Sequence, residues 1–136
     1  MGKILALDVG DVWTGMALSD SLGLIARPYK TVKTNDLEEE LRILLEEEVI
    51  DTVIVGHPRT MKGAISEQTK KAQLVKEQLE QRFEMVSWIL WDERLTSAQA
   101  ESAMLGAGMS RAKRRKRVDR MAAQIILQSF LAAEGK

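Results

Sequence analysis

"KILALDVGDVWTG", residues Lys3 to Gly15, sets an apolar run against one carboxylate and two glycines, and the fold turns on how it is read. Ile4 to Val9 predicts a fully buried strand. Asp8 lies inside it, where a charge is costly unless it is paired or bound to metal. Trp13 to Ser19 predicts a second strand, joined to the first by a short glycine-containing connection that suits a hairpin, and Ala26 to Thr34 a third.

Working outward, Leu37, Leu41, Leu44 and Leu45 mark one face of a helix, with Asn35 as its cap and Glu38 three residues on. "DTVIVG" (Asp51 to Gly56) is a short buried strand, followed by the loop "HPRTMKG". Ala72, Val75, Leu79 and Phe83 mark a second amphipathic helix. "MVSWILW" (Met85 to Trp91) reads as another strand. Thr96 with Gln99 forms a capping box for a helix to about Leu105, "GAG" (106–108) breaks it, and a last helix runs to about Leu131. Strands alternating with helices imply parallel pairing with crossovers. The expected architecture is α/β: a five-stranded mixed sheet, a three-strand antiparallel meander plus two parallel strands, flanked by helices in one domain over 1–136.

The chain has 136 residues, and 20 Lys and Arg balance 20 Asp and Glu, so no global field draws it to polyanions. The charges are unevenly placed. Residues 36–48 hold seven acids against Arg42 alone, a pattern that fits a solvated helix face, while 111–120 hold seven bases against Asp119. Without cysteine there are no disulfides, thiolate catalysis or cysteine-bound zinc. No apolar run reaches the ~20 residues of a membrane span, and the chain enters a strand at once, so a cytoplasmic location with no membrane partner is expected.

Parallel strands bring their C-terminal ends to one edge of the sheet, where open α/β folds place their sites. Asp8 ends the first strand there, and Asp92 and Glu93 end the fifth. Asp119 shares a helical stripe with Ala123, Ile126 and Phe130, at steps of four, three and four, and so heads a face directed at the sheet. The small pair Ala122 and Ala123 would let that helix approach closely. Acids converging without a matching base repel one another unless a cation is bound. Oxygen ligands suit Mg²⁺ or Mn²⁺, which keep waters and accept phosphate oxygens. Such ions activate water against a phosphodiester.

Arg111, Lys113, Arg114, Arg115, Lys116, Arg117 and Arg120 crowd the approach to Asp119, and polyanion binding would relieve their repulsion. Arg94 and the 113–117 bases form the expected nucleic-acid-binding set. The lone His57 has no companions for a metal cage, and Trp13, Trp88 and Trp91 read as packing residues.

"LALDVG" with Gly15 and "ALSD" (Ala17 to Asp20), "VIVGHP" with Gly63, "DERLTS" (Asp92 to Ser97) and "VDRMAAQIILQSFL" (Val118 to Leu131), in that order, resemble the YqgF (RuvX) family from about Ile4 to Leu131. The resemblance implies an RNase H-like fold and a nuclease, of pre-16S ribosomal RNA 5′-end processing or of Holliday junctions. It implies Asp8, Glu93 and Asp119 as metal-binding acids, with Asp92 the substitute for Glu93, since neighbouring strand residues face opposite sides. It departs from the family at Val12 and Trp13, where Lys-Arg is common, and at His57, where leucine is usual. Asp8, Gly10 and Gly15 are also similar to the phosphate loop of sugar kinases, which bind nucleotide between two such domains. The remaining alternative is a non-catalytic nucleic-acid-binding protein with structural acids. A monomer or a homodimer fits, and a junction resolvase, cutting two strands symmetrically, favours the dimer.

Overall fold

A computed structural model describes residues 2–57, 66–92 and 111–133, with 111–120 described by backbone alone. Three strands open the chain, β1 (Lys3–Val9), β2 (Trp13–Ser19) and β3 (Ala26–Lys33). A 3-10 turn over Thr34–Asp36 leads into α1 (Leu37–Glu47), followed by β4 (Ile50–His57), α2 (Glu67–Arg82), β5 (Ser87–Asp92) and α3 (Arg111–Ala133). The sheet order is β3-β2-β1-β4-β5. β1–β2 and β2–β3 pair antiparallel, while β1–β4 and β4–β5 pair parallel. The expected meander with two parallel additions is the observed sheet.

Alternation in β1 divides the core in two. Leu5, Leu7 and Val9 face one side with Val53, Val55 and Trp88, and are covered by Leu37, Leu41 and Leu44 of α1 and Ala72 and Leu79 of α2. Ala6, Ala17 and Ile54 face the other side, under Ala123, Ile126, Leu127 and Phe130 of α3. Ile126 and Leu127 are fully buried, each contributing about 1.5–3 kcal/mol of transfer free energy. Among the described residues the layers are therefore helices, sheet, helix. No helix among the described residues is long and apolar enough to cross a membrane.

Three local expectations are corrected. Asn35 does not cap α1: the 3-10 turn intervenes, Asp36 occupies the cap position, and its side chain makes no capping hydrogen bond. The turn forms because Thr34 is drawn to the β1–β2 connection, donating its N–H to Val12 O at 2.8 Å and its hydroxyl to Gly10 O at 2.7 Å. The fifth strand begins at Ser87, not Met85, because Glu84–Val86 turn out of α2 and leave Met85 75% exposed. The third ends at Lys33, where Thr34 turns away. The helix expected to begin at Thr96 and its "GAG" break lie outside the described residues. Sequence reading missed the box that does cap α2, in which the Ser66 hydroxyl accepts from Thr69 N at 3.2 Å and Ser66 N donates to Thr69 Oγ1 at 3.1 Å. The Ser-x-x-Thr spacing was its signal.

The end of "ALSD" ties β2 to its neighbours, Ser19 to β1 and Asp20 to the β2–β3 turn. Ser19 Oγ accepts the Ile4 N–H at 2.8 Å, and Asp20 Oδ1 accepts from Leu24 N at 2.8 Å and Ile25 N at 3.0 Å around Gly23, whose φ is +69°. The donors of Ile25 and Leu24 hold the Asp20 carboxyl below its usual range. A depressed folded pKa means that the contribution is complete above ~4 and is lost as pH falls through the folded value. Asp20→Ala is thus expected to melt below wild type at neutral pH, with the gap closing in acid. Paired thermal melts from neutral pH into acid check it, and a constant gap would refute it.

Candidate active site

Asp8 ends β1 on the α3 side of the sheet, since it alternates with Leu7 and Val9 and shares the parity of Ala6. Glycine flanks it on both sides. Gly15 is its partner in β2, and one step beyond the Leu7–Val55 pair Gly56 stands beside it in β4. A half-buried carboxylate therefore sits in a row whose nearest neighbours have no side chain of their own to crowd it.

The connection beyond Asp8 is firmly tied. Gly10 N donates to Trp13 O at 3.0 Å, and a Cβ on Gly10 would lie 2.6 Å from that same carbonyl oxygen, so only glycine fits. Thr34 clamps the loop from the end of β3, with its hydroxyl also 2.9 Å from Thr14 Oγ1. Lys71 of α2 reaches Asp11 at 2.7 Å. Asp8 is thus carried by a strand whose exit is fixed from β2, β3 and α2, the rigidity that a positioned ligand requires. Sequence reading missed Thr34; its partners lie twenty or more residues away, and no local motif marks them.

Asp92 does not join Asp8. In β5, Trp88 and Leu90 pack on the α1–α2 side while Ile89 and Trp91 pack on the α3 side, so Asp92 falls with the former, exposed and in register with His57. It is two strands away from Asp8, about 10 Å by strand spacing, and on the opposite face. His57 lies on that face too, its Nε2 3.0 Å from Gln73 Nε2.

Glu93 and Arg94 lie outside the described residues. Asp119 is within α3, as are Lys113, Arg114, Arg115, Lys116 and Arg117. Asp119 stands one turn before Ala123, which is fully buried against the sheet, as are Ala122 and Ile126. The helix packs across β2, β3 and β1, and Leu131 near its end lies by Gly23 at the far edge of the sheet. Among the described residues no three Asp, Glu or His side chains gather into a metal site. Trp88 and Trp91 pack as expected: Trp88 donates to Phe83 O at 2.9 Å, and Trp91 donates to Ser129 Oγ at 3.2 Å and meets Phe130 edge-on at 5.3 Å.

Several acids of α1 are held in ion pairs. Arg42 bridges Glu39 and Glu46, and Lys30 meets Glu40 at 2.8 Å.

Comparison with known proteins bears on the family and the fold. The family model described as RuvX, Holliday junction resolvase, matches residues 2–133. A relative from Oceanobacillus iheyensis named "Putative pre-16S rRNA nuclease" is 43% identical over 134 residues, covering 95% of this chain and 97% of its own. One of the same name from Bacillus subtilis is 38% identical over 134 residues, covering 95% and 96%. Among solved structures, Thermus thermophilus RuvC in complex with Holliday junction substrate is similar with a TM-score of 0.57 at 15% identity, over 99% of this chain and 97% of that one. That likeness shows the fold, which is RNase H-like as the motifs implied.

Proposed function

Because this chain belongs to the RuvX family of Holliday junction resolvases, we propose that it is a divalent-metal-dependent nuclease that hydrolyses phosphodiester bonds in 5′-end processing of pre-16S rRNA. The observation that carries the reading is the placement of Asp8: a strand-held carboxylate between two glycines, on the side of the sheet that α3 covers.

Asp8, Glu93 and Asp119 are the acids assigned to the metal. Asp92 is set aside as a ligand because it shares its face with Trp88 and Leu90, opposite Asp8. An all-carboxylate donor set fits Mg²⁺ or Mn²⁺ and not a soft metal. Bound there, the ion would lower the pKa of an attacking water and stabilise charge on the phosphate. The chain's own part is to orient the scissile phosphate over Asp8, to hold the flanking backbone with Arg94 and the 113–117 bases, and to keep the acids rigid. The relatives' names favour RNA, whereas the family description favours a four-way DNA junction. The RNA reading follows the relatives that align over nearly the full chain. With it goes the proposal of a cytoplasmic protein acting as a monomer or homodimer.

The test is cleavage of labelled pre-16S leader RNA and of a four-way DNA junction in Mg²⁺, Mn²⁺ or EDTA. Metal-dependent cutting of the RNA, abolished by EDTA, is expected. Preferential cutting of the junction would move the substrate to DNA, and binding without cutting in either metal would leave a non-catalytic nucleic-acid-binding protein.

A further inference from the structure

The row of residues through Asp8 continues sideways across the meander. Asp8 pairs with Gly15, and Gly15 pairs with Thr31 of β3; one row further towards the same edge, Trp13 pairs with Lys33. Thr14 and Val32, between these rows, belong to the α1–α2 side: Thr14 pairs with Val9 and Val32 packs in that core. Thr31 and Lys33 therefore stand on Asp8's side of the sheet. Two strands across and two residues along put the Lys33 and Asp8 backbones about 12 Å apart.

The two lysines of β3 differ in their surroundings. Lys30 pairs with Met16, on the α1–α2 side, and is held by Glu40 at 2.8 Å. Lys33 is exposed, and among the described residues no carboxylate pairs with it. An exposed cation with no carboxylate partner among the described residues, on the side of the sheet that carries Asp8, suits a phosphate of a strand bound at that carboxylate.

Building on the nuclease reading, we infer that Lys33 is a substrate-binding residue that grips a phosphate of the nucleic-acid strand flanking the cleaved bond, on the β2–β3 side of Asp8. As a point contact to a phosphate it adds affinity without sequence preference. It acts on binding and not on the chemical step, because it lies too far from Asp8 to touch the reacting atoms.

The test compares Lys33→Ala, Lys33→Arg and, as an exposed lysine on α2 across the sheet, Lys70→Ala. Affinity for pre-16S leader RNA is measured in EDTA across a salt series, and steady-state cleavage in Mg²⁺. Lys33→Ala is expected to weaken binding about three- to tenfold, to raise KM with kcat unchanged, and to make the salt dependence shallower by about one unit of slope. Lys33→Arg should restore most of the affinity, and Lys70→Ala should match wild type. If wild type binds and cuts while Lys33→Ala keeps its affinity and slope, the inference is overturned alone, and Lys33 serves only to keep an edge strand from pairing. A wild type that binds neither RNA nor junction overturns it together with the nuclease reading.

Discussion

Asp8→Asn is expected to lose metal-dependent cleavage by roughly a thousandfold or more, the upper range for removing one group that stabilises charge in a transition state. The reasoning rests on where the strand holds the residue. Asn preserves the shape and one acceptor oxygen, so β1 and its register with Gly15 should survive. What disappears is the negative charge that a cation requires. If the assigned acids converge, metal-free wild type carries their mutual repulsion, and the Asn variant should melt at or above it. Added Mg²⁺ or Mn²⁺ should raise the melting temperature of wild type and shift the variant less, because only a ligand that binds the folded state stabilises it. A purely structural Asp8, accepting hydrogen bonds at the strand end, predicts the reverse: a lower melting temperature with cleavage retained. Melting curves with and without metal, beside single-turnover cleavage, separate the two.

Much of the frame could be read from local pattern because the residues that decide it repeat at short range. Leu5, Leu7 and Val9 against Ala6 and Asp8 give the strand and its two faces. Ala123, Ile126 and Phe130 give the inward stripe of α3. The site was less visible because its geometry comes from pairing between distant segments. Nothing in "WDER" says that Asp92 turns away from Asp8; that needs the β4–β5 register and the side on which Trp88 packs. Thr34 has the same character. Its bonds to Gly10 and Val12 come from β3 folding back beside the hairpin, and they displace the cap that Asn35 and Glu38 suggested. No local motif marks Lys33; only the pairing of β2 with β3 puts it on Asp8's side.

Ala123→Leu carries the second large effect, and it tests whether the close packing of α3 positions the site. Ala123 is fully buried in the cluster that includes Ala6 of β1 and Ala17 of β2. Small residues on both surfaces bring the helix backbone near the sheet, and a leucine adds three carbons at a position that is already fully buried. The helix must lift or its neighbours must leave their rotamers, at a cost of about 1–3 kcal/mol. That should lower the melting temperature by several degrees while the protein remains folded at room temperature. Asp119 is one turn away on the same helix, about 6 Å along its axis, so a lifted helix carries it away from Asp8. A displacement near 1 Å can cost on the order of a hundredfold in rate. Cleavage should therefore fall much further than stability, whereas Ala132→Leu, exposed near the helix end, should leave both near wild type. Comparing rates well below each melting temperature keeps unfolding out of the result. An Ala123→Leu protein that is folded and cuts at the wild-type rate would show that α3 does not set the spacing of the acids, and Asp119 would leave the proposed metal set.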